Sequence, residues 1–396
     1  MRDVYIVDAV RTPIGKLGGS FKDTTADYLA AHVIKGLLNR ISTPIAVDEV
    51  ILGQARQSSD AANIARVAAL RAKISIEATA YIVHRQCGSG LQAINNAAQQ
   101  IALGLNDVII AGGTESLSTA PYYLRNARYG YGIGNGTLFD PNTESQFNSQ
   151  PPEIYGQFNM GMTAENLAEQ FGITRAEQDA FALRSQQFAL EAIAKGTFKD
   201  EIIPYEIKTR KGTVIVDTDE HPRETTLEKL SQLQPVFKEG GTVTAGSSSG
   251  RNDGASVALL MSEEKLKEYG LKPKAKIVAQ AVAGVPPEIM GIGPVPSTQK
   301  ALAQANLALD DIDVIELNEA FAAQALAVIR QGRFPQERVN VNGGAIALGH
   351  PIGATGAIIF TKLIHELDRS GGRYGIATLC IGGGQGITTI VENCTI

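Results

Sequence analysis

Tryptophan is absent from this chain of 396 residues and cysteine nearly so, with Cys87, Cys380 and Cys394 the only three. Scattered thiols of that number cannot build a disulfide framework, and without a CxxC pair they do not suggest a zinc cluster. A reducing cytoplasm is therefore the expected compartment, with no metal at the site. Charged residues make up 19% and the net charge is only -5, which offers no broad attraction for nucleic acid or an anionic membrane. Hydrophobic runs of transmembrane length are also missing, and Met1-Arg2-Asp3-Val4-Tyr5-Ile6-Val7 carries charge where a signal peptide would be apolar.

Glycine is plentiful instead, 41 residues in a chain that is 44% hydrophobic and 6% aromatic, a composition that fits a compact, glycine-turned enzyme. The length predicts two or three domains. Apolar periodicity predicts a strand over Val4–Val10, a helix from about Thr25 to Asn39, a strand at Val50–Leu52, a helix in Ala61–Lys73 and a strand at Tyr81–Val83. A helix after Cys87 and a strand Val108–Ala111 ending in Gly112-Gly113 complete the series. Strands alternating with helices argue for a layered α/β fold.

From about Ser118 to Asn159 the pattern dissolves into Tyr, Asn, Gly, Pro and Gln, too long for an ordinary connector and so expected to be functional. A helix after Thr163 stopped by Gly172, and one capped by Thr174 with Glu177 three residues on and running to Gly196, follow it. Residues 118–245 are read as a lobe inserted into a first domain, 1–117, which 246–266 completes. Residues 267–396 then form a second domain. It has a strand Lys276–Ala283, a helix Thr298–Asn306, a strand Val314–Leu317 and a helix Glu319–Arg330. A strand Val339–Val341, a helix Ile352–Arg369 and strands Tyr374–Cys380 and Ile387–Glu392 follow.

One plan looks used twice. Asp48–Ile51 matches Asp313–Ile315, the surroundings of Cys87 match those of His350, and Ile109–Gly113 matches Thr378–Gly383, at a common offset of roughly 265 residues. Packing of such repeats about a pseudo-dyad would turn Cys87 toward His350 and Cys380.

Cys87 closes a short strand and opens a helix whose apolar face is Leu91, Ile94, Ala98, Ile101 and Leu105. Open N–H groups and the helix dipole favour thiolate there, and Gly88 and Gly90 leave room for a ligand. The plainer reading is a small buried hydrophobe. His350 lies in Gly343–Gly356 beside Pro351, at a helix opening; it is either a solvated turn histidine or, opposite Cys87, a catalytic base. Cys380 precedes Gly382-Gly383-Gly384-Gln385-Gly386. A dinucleotide loop is rejected at this point because the β-branched run Ile387–Val391 reads as strand, so the glycines better expose N–H donors for an oxyanion. Asn318 joins a strand to a helix and reads as a helix cap, a catalytic donor, or both.

Cys87-Gly88-Ser89-Gly90-Leu91, Ala111–Ser116, Thr242–Gly246, Asn252–Ala255, Asn318–Ala322, Gly343–Gly356 and Cys380–Gly384 together resemble the thiolases, the family of acetyl-CoA acetyltransferases and 3-ketoacyl-CoA thiolases. Several motifs in order along nearly the whole chain make the likeness specific. It implies a duplicated, layered α-β-α-β-α fold with an inserted loop domain. It also implies a ping-pong reaction: Cys87, deprotonated by His350, takes the acyl group, and Cys380 moves the α-proton of the second thioester. One oxyanion hole would combine His350 with a water held by Asn318, the other the N–H groups of Cys87 and Gly382. CoA thioesters would be substrates, with no separate cofactor and a homo-oligomer as the assembly.

By the same resemblance pantetheine would pass Met160, Phe237, Ala245, Ser249 and Phe321, with Arg223 near the adenine. Ordinary core packing explains Met160, Phe237 and Phe321 about as well. Lys208, Arg210 and Lys211 could meet phosphate, although such a run is usually a solvated face. The chain departs from short-chain thiolases at Asn159, where they carry histidine before the Met-Gly pair, and in its Gly, Asn and Gln-rich 131–158 stretch. A decarboxylating ketoacyl-synthase-like enzyme is the nearest rival, but such enzymes generally use a second histidine where this chain has Cys380. A non-catalytic acyl-CoA or lipid carrier would leave the two cysteines and the histidine without a reason.

Overall fold

The computed structural model describes residues 1–210 and 212–396. The first series is β1 (Val4–Arg11), β2 (Gly15–Lys16), α1 (Ala26–Arg40), β3 (Glu49–Gly53), α2 (Ile64–Arg71), β4 (Thr79–Val83), α3 (Ser89–Ala102) and β5 (Val108–Ser116). The excursion then holds β6 (Tyr123–Leu124), β7 (Leu138–Phe139), α4 (Pro141–Phe147), α5 (Pro152–Tyr155), α6 (Met160–Gln170), α7 (Arg175–Lys195), β8 (Tyr205–Thr209), β9 (Gly212–Val216) and α8 (Leu227–Ser231). The chain returns through β10 (Asn252–Ser262), α9 (Glu263–Tyr269) and β11 (Ala275–Gly284). It ends with α10 (Pro294–Ala305), β12 (Val314–Leu317), α11 (Ala322–Gly332), α12 (Ala345–Leu348), α13 (Ile352–Ser370), β13 (Tyr374–Ile381) and β14 (Gln385–Asn393).

The main sheet runs β12-β13-β14-β11-β1-β10-β5-β3-β4, with β2 attached to β10. The duplication is visible in the ladders. On one side β3 is parallel to β5, β5 antiparallel to β10 and β10 antiparallel to β1; on the other β12 is parallel to β13, β13 antiparallel to β14 and β14 antiparallel to β11. The halves meet at two residue pairs, Tyr5 with Lys276 and Ile6 with Ala275.

Three apolar cores give the layers. One covers α1 and α2 against the first half of the sheet, and one joins α6, α7 and α11 to the second half. Between them α3 and α13 share a core with strands of both halves, including Leu91, Ile94, Phe360, Leu363 and Leu379. Strand β10 is buried on both faces, which is why Asn252–Ser262 reads as a continuous small and apolar run rather than an alternation.

Several expected boundaries move, each for a visible reason. Strand β5 does not end at Gly112-Gly113 but continues to Ser116. A Cβ on Gly113 would overlap the Gly353 carbonyl at the start of α13, so the glycines admit a neighbour instead of ending the strand. Val339–Val341 is not a strand: Val339 makes a single bridge to Ile315, and Asn340 then turns left-handed at φ 49°. The helix expected from Glu319 starts at Ala322, and the one expected after Thr163 starts at Met160, with Asn159 as its cap accepting from Met162 N at 3.0 Å. The Thr174–Glu177 capping box of α7 is present. The stretch read as patternless contains α4, which Asp140 caps and Pro141 opens. Gly382–Gly384 turns β13 back on β14 as an antiparallel hairpin. Among the described residues no helix is long and apolar enough to cross a membrane.

Candidate active site

Cys87 sits on a strained turn. Gln86 adopts φ 45°, a left-handed conformation that a residue of its size rarely holds unaided. Ser89 holds it: its hydroxyl donates to Gln86 O at 2.6 Å and accepts from Arg85 N at 2.9 Å. The turn presents the sulfur just before the first residue of α3.

His350 is brought there by the other half. Its backbone N–H donates to Asn252 Oδ1 at 3.0 Å, and its Nδ1 lies 2.6 Å from Thr355 Oγ1. That hydroxyl already donates to Pro351 O at 3.0 Å, so it accepts from the ring, which places the proton on Nδ1 and leaves Nε2 as the basic nitrogen. Burial, with the charge of Arg56 behind it, pushes His350 down to about 4, so the ring is neutral near pH 7.

Loops on both sides are tied down by buried carboxylates. Glu319 accepts from Ser185 Oγ at 2.6 Å, Asn340 Nδ2 at 2.8 Å and Ile346 N at 3.2 Å, fixing the loop that ends in His350. Glu115, at the end of β5, accepts from Ala55 N at 3.0 Å, Arg56 N at 2.9 Å and Gly353 N at 2.8 Å, and so pins the loop after β3 to the start of α13. Burial raises its carboxyl against the pull of those N–H groups.

Cys87, His350, Cys380 and Gly382 line one pocket of about 160 Å³, with Met160, Phe237, Ser249 and Phe321 on its wall. The Gly382 N–H and the N–H of Cys87 itself both reach the Cys87 sulfur and draw its pKa down, as does Arg56, yet burial outweighs them and the thiol is raised. The thiolate expected at a helix start is thus not the resting state. Cys380 is raised further, first by burial and then by the neighbouring Cys87 sulfur. Phe237 packs edge-on to Phe321 with centroids 5.9 Å apart, and its ring lies where Gly161 has no side chain. Ser249 N donates to Ala320 O at 3.0 Å, which docks the small-residue loop on the Asn318–Phe321 turn.

Asn318 is not a helix cap; that position belongs to Phe321. Its side chain is wholly buried, and neither Oδ1 nor Nδ2 has a partner, the mark of a polar group waiting for water or ligand. Two expected CoA contacts do not line the pocket. Ala245 is exposed outside it, and Arg223 lies in a separate cleft by α7, where its N–H donates to Gln186 Oε1 at 2.9 Å. Lys208 and Arg210 are exposed at the β8–β9 hairpin, and Lys211 lies outside the described residues. Arg56, Ser145 and Gln146 line the pocket although sequence reasoning did not single them out. For the α4 pair the Asp140-Pro141 start was a usable signal; for Arg56 there was none.

Family models for the N-terminal and C-terminal thiolase domains match residues 4–264 and 271–393. The chain belongs to the thiolase family. This thiolase is 48% identical over 396 residues to an acetyl-CoA acetyltransferase of Syntrophomonas wolfei, with 99% of each chain covered. Its structure superposes on the crystal structure of the Bacillus anthracis acetyl-CoA acetyltransferase with a TM-score of 0.96, at 50% identity over 99% of both chains. Human mitochondrial 3-ketoacyl-CoA thiolase in complex with CoA gives 0.94 at 46% identity, covering 99% of this chain and 98% of that one.

Proposed function

We propose that this acyl-CoA C-acyltransferase makes and breaks the carbon–carbon bond of 3-ketoacyl-CoA through an acyl thioester on Cys87. The observation that carries the assignment is the meeting of Cys87, His350, Cys380 and Gly382 around one pocket. In the cleavage direction the Cys87 sulfur, losing its proton to Nε2 of His350, attacks C3 of the 3-ketoacyl thioester. The C2–C3 bond breaks, the acyl group stays on sulfur, and the electron pair leaves as the acetyl-CoA enolate. Cys380 protonates that enolate at carbon. CoA then enters, gives its proton to the Cys380 thiolate and takes the acyl group off Cys87, whose departing sulfur recovers its proton from His350. Condensation is the same sequence reversed, with Cys380 removing the α-proton.

A thiol held well above its usual pKa suits Cys380 to that exchange, because its thiolate is a strong base for a weakly acidic carbon. Negative oxygen develops twice. The N–H groups of Cys87 and Gly382 form one pair of donors, and His350 with a water on Asn318 would form the other. The unpartnered amide of Asn318 supports the latter. Met160, Phe237, Ser249 and Phe321 would flank the pantetheine arm, and the human relative solved with CoA supports a CoA thioester as the ligand. No cofactor takes part in these steps. We also infer a homo-oligomer, supported by the exposed apolar side chains Tyr129, Ile133 and Leu138 on the excursion, and a reducing compartment, supported by three unpaired cysteines.

The test is incubation with acetoacetyl-CoA and CoA, following acetyl-CoA release, with intact mass read during turnover. An acetyl adduct on the wild type, lost together with turnover in Cys87→Ala, is expected. Undiminished turnover in Cys87→Ala would refute the mechanism, whereas full activity in Cys380→Ala would remove only the second acid/base.

A further inference from the structure

Arg56 is a charge in the pocket that none of these steps uses. Glu115 pulls the loop after β3 inward by its main chain, and the arginine side chain goes with it to 8% exposure. There its Nε is buried without a partner, and among the described residues its guanidinium forms no hydrogen bond or ion pair. Glu115 acts on it only through space, since its oxygens are taken by backbone N–H groups. With Nε buried and unpaired, and no protein acceptor on the rest of the group, the guanidinium calls for an anion.

The surroundings agree. Among the described residues lining the pocket two are charged, Arg56 and Arg251, and none is Asp or Glu. Arg251 is exposed and solvated by water, so the unmet demand is that of Arg56. Helix α4 adds further unused polar atoms on the same wall, Asn142 Oδ1 and Ser145 Oγ, both buried without partners, and Gln146 beside them. An acyl pocket built for a plain hydrocarbon would be lined by apolar groups throughout.

We propose that Arg56 receives a carboxylate at the far end of the acyl group. The acyl donor condensed with acetyl-CoA is then a mono-CoA thioester of a dicarboxylic acid, and the cleavage substrate a 3-oxoacyl-CoA that ends in a carboxylate. A guanidinium offers paired N–H donors matched to such a group, and the acceptor atoms of α4 would hold the water around it. The inference rests on the thiolase reading of this pocket and narrows its substrate.

Purified enzyme is assayed for thiolysis of 3-oxoadipyl-CoA and 3-oxohexanoyl-CoA, which have equal carbon number and differ in a terminal carboxylate against a methyl. The quantity read is the ratio of the two kcat/KM values. Any influence of the Arg56 charge on Cys87 acts on both substrates and cancels in it. The wild type is expected to favour the carboxylate by about 100-fold or more, Arg56→Leu to bring the ratio near one, and Arg56→Lys to restore part of it. A wild-type ratio of one or below overturns the proposal without any variant, and so does an unchanged ratio in Arg56→Leu, which would leave the arginine a role toward Cys87 alone. Turnover of acetoacetyl-CoA with neither six-carbon substrate cleaved refutes this inference and spares the thiolase mechanism; no turnover of any of the three refutes both.

Discussion

In the free protein Cys87 and His350 are both held neutral, the thiol pushed up and the imidazole down, by the same burial. The proposed nucleophile is therefore not stored as a thiolate–imidazolium pair and would be made when substrate arrives. Alkylation of Cys87 by iodoacetamide should climb with pH past the ordinary thiol pKa of about 8.5, and a plateau near pH 7 would show that a preformed ion pair exists. The sign for stability follows as well. The folded pKa of His350 is about 4, below the unfolded value of about 6.5, so the unfolded chain takes up the proton first. Its contribution is complete above about pH 6.5 and is lost as pH falls toward 4, by about 3 kcal/mol. Urea titrations of wild type and His350→Gln at pH 7 and pH 4 should differ by that amount in their loss; parallel losses would contradict it. Cys87, His350 and Cys380 were legible in sequence because glycines and proline mark their turns. Arg56 was not, because its burial is imposed by Glu115, 59 residues away in the chain.

Helices α3 and α13 follow Cys87 and His350, the two halves of the proposed chemistry, and their close approach fixes the distance between them. A Cβ on Gly90 would lie 2.9 Å from Gly353 O and 3.0 Å from Ala357 N, and one on Gly356 would lie 2.5 Å from Leu91 N. Gly90→Ala should cost about 1–3 kcal/mol by overpacking and slow turnover more than it destabilises, because spreading the helices parts Cys87 from His350. Thermal unfolding and kcat measured together check this; a variant as stable and as active as the wild type would deny the contact. The amphipathic helices were readable because their apolar faces repeat at helical spacing. Helix α4 was not, since it has seven residues and buries only Asn142, so no apolar stripe records it and only its Asp-Pro start does. The β-branched run after Gly386 was read correctly as strand, since hairpin and dinucleotide loop demand different partners for the same glycines.

Across the molecule, the excursion is bound to the first half of the sheet by Arg11. Its guanidinium donates to Glu201 Oε1 at 2.7 Å and to Asp219 at 2.7 and 3.0 Å, all of it buried, and the two carboxylates hold it well above its ordinary pKa. Arg11→Leu leaves two buried carboxylates unpaired and should cost about 3–5 kcal/mol, read as a lowered urea midpoint. An unchanged midpoint would mean that the lobe docks by its apolar core alone. The repeated architecture was visible from strand and loop matches, but that the halves form one continuous sheet was not, because the pairing of Tyr5 and Ile6 with Lys276 and Ala275 leaves no trace in either local pattern. That junction is small, whereas the apolar core uniting α6, α7 and α11 with the second half is extensive, and no disulfide fastens any part. A protease nick at the exposed tip around Gly270, where the chain passes from one repeat to the other, would therefore yield two fragments that stay associated. They should elute together and still turn over, each subunit then a pair of unlike fragments made from a single gene product.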